Sequence, residues 1–256
     1  MPMLERDGVK LFYEDAGAGD PAIVFVHGWT CNHTYFRPQA DHFKAMHRVV
    51  SVDLRGHGAS DQPDDGYTMA GLADDVAWVC AELALDRPVV VGHSMGAVIA
   101  LELAARHPGL PRAVVMVDPA PIVVTPELAP MLAGLVEAFK GPDHLAARRG
   151  LIEGMLFIDD DDPAVKARIT DEMLTAPQAV AAACFDGIAA WDGPAALRAV
   201  TCPVLNIGAA SPVNDGRVMA ELCPTLVNGQ TVGAGHFNQV LVPDQVNAMI
   251  EQFLRK

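Results

Sequence analysis

The sequence predicts an α/β protein: a mostly parallel, doubly wound sheet interrupted late in the chain by a block of helices. Three observations predict it. Continuously apolar, β-branched runs recur in the first half, as strands covered on both faces require. Stretches with apolar residues at helical spacing separate these runs. From about residue 125 to residue 200 the strand signal stops and only helical signals remain. At 256 residues and 51% hydrophobic content, the chain can bury one large core and carry an insertion.

The first strands are expected at 22–28 (AIVFVHG), 47–53 (HRVVSVD), 88–94 (PVVVGHS) and 112–118 (RAVVMVD), each ending in polar residues. Strand C-termini are where an open α/β sheet places its site. Leu72, Val76, Val79 and Leu83 mark one covering helix, and residues 95–106 a second, closed by His-Pro-Gly. Within the helical block, Thr125 with Pro126 and Asp162 with Pro163 each pair an N-cap with a proline at the first helical position, and a third helix is expected after Pro177. Strands return at 202–208 (CPVLNIG) and 228–235 (NGQTVGAG), followed by a helix from about Pro243 to Leu254. The expected organisation is a core built from 1–122 and 201–256, with 123–200 as a helical cap.

Lysine and arginine number 18 against 32 aspartates and glutamates, a formal charge of −14. Such a surface repels nucleic-acid phosphates and anionic bilayers, so a small molecule is the expected partner. Cys31, Cys80, Cys184, Cys202 and Cys223 are an odd set with no Cys-x-x-Cys pair, which argues against a disulfide framework and against a zinc site. The opening MPMLERDGVK lacks the apolar core of a signal peptide, and no apolar run reaches the roughly 18 residues of a membrane span. The expectation is a cytoplasmic protein with reduced thiols.

VVVGHSMGAVIA is the stretch that points to chemistry. Glycines two before and two after Ser94 let the chain turn sharply from strand to helix and lift the hydroxyl above the sheet. The Met95 N–H, at the helix start, then points at whatever the serine attacks, aided by the positive end of the helix dipole. In FVHGWT, Gly28 frees the backbone and the Trp29 N–H can join that of Met95 on a developing oxyanion. His236, in the glycine-loosened VGAGHF after the last strand, is the candidate base. His27 and His93 read as structural histidines bonded to backbone.

These motifs, with HGW, DLRGHGASD, GHSMG, a helical insertion, CPVLNIG and GAGHF in sequence, resemble the α/β-hydrolase superfamily over essentially the whole chain. The resemblance implies that fold, with the cap between strands six and seven. It also implies Ser94 as nucleophile, His236 as base, Trp29 and Met95 as oxyanion hole, substrate entry beneath the cap, and no cofactor or metal. A serine at position 94 argues against the branches that attack with aspartate, the dehalogenases and epoxide hydrolases.

One departure stands out. Relatives usually read Gly-x-x-Asp after the strand ending in Asn-Ile-Gly, and here Gly208-Ala209-Ala210-Ser211 has no carboxylate. Asp215, four residues on, sits in Asn-Asp-Gly, which is strong turn chemistry. Asp118 ends VVMVD, and a minority of the superfamily carries the acid after strand six. Parallel strands lie about 4.8 Å apart, so neighbouring strand ends can address one imidazole. Asp118 is therefore the expected acid, with Asp215 as the alternative.

The remaining features read as architecture. DLRGHGASD resembles a family loop that braces the sheet, which implies a structural role for Asp53, Arg55 and His57; Asp159 to Asp162 favour a helix start through its dipole, and Cys31 reads as a small lining residue. Ile122, Val123, Phe157, Phe185 and Trp191 are candidate pocket walls, each with packing inside the cap as its competing role. The expected activity is a serine hydrolase cleaving a small, largely apolar ester or lactone, with an amide or carbon–carbon bond as variants. The alternatives are a cofactor-independent dioxygenase of the same fold and a ligand-sensing signalling protein.

Overall fold

The structure, a computed structural model, describes residues 2–255; Met1 and Lys256, the outer ends of the expected core segments, lie outside them. Strands β1 (Met3–Arg6) and β2 (Val9–Ala16) open the chain as an antiparallel hairpin. Then follow β3 (Ile23–Val26), α1 (Arg37–Phe43), β4 (Val49–Val52), α2 (Met69–Glu82), β5 (Val89–His93), α3 (Met95–Arg106) and β6 (Ala113–Val117). Five helices come next: α4 (Leu128–Lys140), α5 (His144–Met155), α6 (Pro163–Leu174), α7 (Gln178–Ala189) and α8 (Gly193–Ala199). The chain closes with β7 (Val204–Gly208), α9 (Gly216–Leu222), β8 (Leu226–Gln230), α10 (Asn238–Leu241) and α11 (Pro243–Leu254).

The strands form one sheet in the order β1-β2-β4-β3-β5-β6-β7-β8. The pairs from β4 to β8 are parallel, and β2 joins β4 antiparallel. This is the α/β-hydrolase fold. Successive side chains of the central strands enter opposite apolar layers. Val24, Val26, Val90, Val114 and Met116 pack with α2 and α3, while Ile23, Phe25, Val91, Val115 and Val117 pack with α1 and α11. Burial on both faces is why these strands read as unbroken apolar runs instead of alternating ones.

Several boundaries differ from the sequence reading. The last strand begins at Leu226 and ends at Gln230, because Thr231 turns to donate its N–H to the Gly208 carbonyl at 2.9 Å and Gly233 takes φ +74°. The first helix of the insertion begins at Leu128, because the Thr125 carbonyl closes a turn by accepting the Leu128 and Ala129 N–H groups. Asp162 does cap α6, accepting from Ala164 N–H at 2.8 Å with Pro163 behind it. Among the described residues no helix is long and apolar enough to cross a membrane. All five cysteines are buried free thiols.

Candidate active site

Four segments converge at the C-terminal edge of the sheet: the chain leaving β3, the β5–α3 turn, the chain leaving β6, and the loop after β8. Ser94, in the β5–α3 turn, has φ 53° and ψ −118°. A residue with a Cβ pays for such a conformation, so the surroundings must impose it. Its N–H donates to Val117 O at 3.1 Å, and its carbonyl accepts from Ala97 N–H at 3.0 Å. The flanking glycines avoid Cβ clashes at the turn, as expected. The left-handed conformation falls on Ser94 itself, and Gly92 and Gly96 are needed for close packing. A Cβ on Gly92 would collide with the Gly96 carbonyl, and one on Gly96 with the Val26 carbonyl. The half-buried serine lines a cavity beneath the inserted helices.

The Trp29 and Met95 N–H groups make no backbone hydrogen bond among the described residues. Gly28 brings the first of them close, since a Cβ there would sit 3.2 Å from Ser94 Cβ. The tryptophan is fixed on all sides. Its indole N–H donates to Ala181 O at 2.8 Å, its ring stacks on Phe139 at 5.2 Å, and its carbonyl accepts from the Cys31 thiol at 3.4 Å. Burial pushes the Cys31 pKa up, so the sulfur stays a protonated donor. The Arg148 guanidinium lies 5.7 Å over the Trp29 ring, but its N–H groups serve the Met173 and Ala176 carbonyls at the end of α6. A cation is favoured there by the helix dipole.

His236 Nδ1 lies 2.6 Å from Asp118 Oδ2. A ring nitrogen facing a carboxylate carries the proton, which leaves Nε2 with its lone pair. Asp118 is buried and also left-handed, at φ 38°. Its N–H donates to Ile207 O at 2.8 Å and its Oδ1 accepts from Ala209 N–H at 2.8 Å. The carboxylate thus spans the end of β7 and the imidazole. Asp215 lies elsewhere: it is exposed and caps α9, accepting from Arg217 N–H at 2.8 Å. Ser211 is exposed at the rim of the cavity.

His27, His57 and His93 are bonded into the frame. His27 Nδ1–H donates to Gly28 O at 2.8 Å while Nε2 accepts from Leu54 N–H at 3.1 Å. His93 Nε2–H donates to the His236 carbonyl at 2.9 Å. Burial first, then the neighbouring His236, drives the His93 pKa well down, so this ring stays neutral. Asp53 accepts from His33 and Ala59 N–H groups, Arg55 pairs with Asp75, and His57 Nε2 accepts from Thr30 N–H at 3.2 Å.

The cavity holds about 230 Å³. Among the described residues that line it, the ionisable side chains are Cys31, His93, Asp118 and His236, and no lysine or arginine is present. Of the candidate wall residues, Phe157 and Phe185 are on its wall and also pack in the apolar core. Trp191 is not: its indole N–H donates to Glu102 at 2.8 Å and its ring packs over α3. Ile122 and Val123 also lie outside the lining and pack in the apolar layer. The wall instead draws on Leu128, Met131, Leu132 and Leu135 of α4 and on Met155 and Met173. The α4 residues recur at helical spacing, a signal that was present in the sequence. The acidic run also needs correction, because only Asp162 caps a helix; Asp161 is buried against the His236 loop.

The profile of the alpha/beta hydrolase fold family matches residues 21–148. A curated relative, the AB hydrolase superfamily protein YisY of Bacillus subtilis, is 46% identical over 105 residues, covering 41% of this chain and 39% of that protein. For the first curated relatives that it matches, the aligned part of the chain spans less than half of their length. Solved structures align over nearly everything. A thermophilic esterase from Thermogutta terrifontis superposes with a TM-score of 0.86 at 26% identity, over 99% of this chain and 96% of that one. Est816, described as an N-acyl homoserine lactone degrading enzyme, gives 0.84 at 28%, over 98% and 100%.

Proposed function

The chain belongs to the alpha/beta hydrolase fold family, and from that premise we propose that it is a serine hydrolase cleaving neutral, largely apolar esters or lactones through an acyl-enzyme. The observation that carries the reading is the 2.6 Å bond from His236 Nδ1–H to Asp118, beside a serine held at a strained turn on the same cavity. Nε2 of His236 takes the proton from Ser94 Oγ as that oxygen bonds to the substrate carbonyl carbon. The carbonyl oxygen becomes an oxyanion, which the Trp29 and Met95 N–H groups receive. His236 then passes its proton to the leaving oxygen as the carbon–oxygen bond breaks. Water, deprotonated by the same nitrogen, releases the acid and restores Ser94. Asp118 keeps the proton on Nδ1 throughout and stabilises the imidazolium.

Substrate class follows from the wall. A cavity of about 230 Å³ lined by leucine, methionine and phenylalanine, with no cation among the described lining residues to pair a carboxylate, favours a short neutral acyl or lactone ring. The chemistry named for the two solved structures, an esterase and a lactone-degrading enzyme, agrees with it. The test has two arms. A fluorophosphonate is expected to modify Ser94 stoichiometrically, read by peptide mass spectrometry, and neutral esters and lactones are expected to turn over faster than carboxylated ones of equal size. A folded protein that takes no label at Ser94 would refute the hydrolase reading.

A further inference from the structure

Beyond Asp118, a second aspartate bears on His236, and it comes from the inserted helices. Asp161 lies in the loop between α5 and α6 and is 6% exposed, in contrast to its exposed neighbours Asp159, Asp160 and Asp162. Its Oδ2 accepts from Ile158 N–H at 2.9 Å, which closes the loop on itself. Its Oδ1 accepts from Gly235 N–H at 2.9 Å. The next N–H in the chain, that of His236, donates to Leu156 O at 3.0 Å. Two consecutive backbone donors of the histidine loop are therefore bound by one six-residue stretch, 156–161. The Phe157 ring stacks on Phe237 at 5.3 Å immediately beyond. Gly235 allows the approach: a Cβ there would lie 2.6 Å from Asp161 Oδ2 and 3.0 Å from Leu156 O.

The sheet holds the same loop from the other side. His93 bonds the His236 carbonyl, Asp118 bonds the ring, and Ala210 N–H donates to Ala234 O at 3.0 Å. The imidazole is thus set between two bodies. We propose that Asp161 is a positioning residue that fixes the His236 backbone, so that the base is aligned only while the 156–161 stretch is seated. The inference rests on the hydrolase reading for its kinetic consequence, and on the hydrogen bonds alone for its structural one. A buried carboxylate is well suited to the task. It accepts from two backbone N–H groups at once, and charge-assisted bonds of this kind are about twice as strong as neutral ones.

The test compares Asp161→Ala, Asp161→Asn and, as an exposed control, Asp160→Asn. In Asp161→Ala, kcat for a neutral ester falls about 10²-fold, the cost of a misplacement on the order of 1 Å, while KM stays within about threefold. Asp161→Asn keeps an oxygen for Gly235 N–H and recovers part of that loss, and Asp160→Asn matches the wild type. The downfield proton resonance of His236 Nδ1, shared with Asp118, broadens in Asp161→Ala. An unchanged kcat, or a rise in KM alone, with that resonance intact, overturns the proposal and leaves Asp161 a staple of the fold. Should Asp161→Ala fail to fold, Asp161→Asn decides by the same readouts. Should the wild type take no fluorophosphonate and cleave no ester, the hydrolase reading falls, and the resonance still decides the positioning role.

Discussion

The chains leaving β6 and β7 emerge side by side from the sheet, in register at Val117 and Ile207, and they do opposite things. The first turns at once, through a left-handed Asp118 whose carboxylate bonds the imidazole. The second runs on as Ala209-Ala210-Ser211 and presents no charge to the site. It supplies N–H groups instead: Ala209 to Asp118 Oδ1 and Ala210 to Ala234 O. Further along, Asn214 Oδ1 accepts from Ile122 N–H at 2.8 Å while its amide donates to Pro119 O at 2.8 Å. The β7 loop supports the carboxylate carried next door. What the pair teaches is that an imidazole needs a carboxylate at a place in space, and neighbouring strand ends can deliver it there.

The largest effect should come from the carboxylate itself. Asp118→Asn keeps the shape but removes the charge and favours the wrong tautomer of His236, a change worth about 10⁴ in turnover in serine proteases, or roughly 5 kcal/mol of barrier. Steady-state kinetics on one ester should show that loss for Asp118→Asn and less than about tenfold for Asp215→Asn. The reverse order would break the comparison. Moving the acid sharpens it: Ser211→Asp in the Asp118→Asn background should regain about 10- to 100-fold, the coupling expected of groups sharing one partner. No gain would mean that the β7 loop cannot reach the ring.

Smaller effects separate support from chemistry. Asn214→Ala should cost about 2 kcal/mol in denaturant unfolding, because buried backbone groups lose their partner, with kcat nearly unchanged. All pH profiles must stay above the acid limb. His57 is buried and neutral, and burial lowers its pKa from the usual 6.5 to about 3. Below pH 6.5 the unfolded chain takes up a proton that the folded chain excludes, so stability falls as pH falls, down to about pH 3. The loss runs at about 1.4 kcal/mol per pH unit for this group, measurable as a falling melting temperature between pH 6.5 and 4. The smallest effect belongs to Asp215. Asp215→Ala removes the N-cap of α9 and should cost about 1 kcal/mol of stability.

The central sheet and the serine turn were legible because two-sided burial and Gly-x-Ser-x-Gly leave local signals. The β1–β2 hairpin was missed although Asp7 and Gly8, both left-handed, form a two-residue turn. Its strands are half exposed and lack the apolar run that marked the others. Helix α5 escaped notice because most of its residues face solvent. The convergence of Ser94, His236 and Asp118 on one cavity was legible because each lies at or soon after a strand end. Roles set by a partner far along the chain were not. Trp191 depends on Glu102 and Asp161 on Gly235, separations of 89 and 74 residues. Periodicity marks an apolar face on α4 that includes Met131, but it cannot say that this face meets the cavity.

The conformation of Ser94 has a consequence for thermal endurance. A side chain held at φ 53°, ψ −118° costs on the order of 1–3 kcal/mol, a debt that glycine would not carry at that position. Cysteine and alanine would inherit it, since each keeps a Cβ. Ser94→Gly is thus expected to melt above the wild type, and Ser94→Ala to melt close to it. The gap between those two variants would measure how much resistance to heat this chain forgoes to hold one hydroxyl in place.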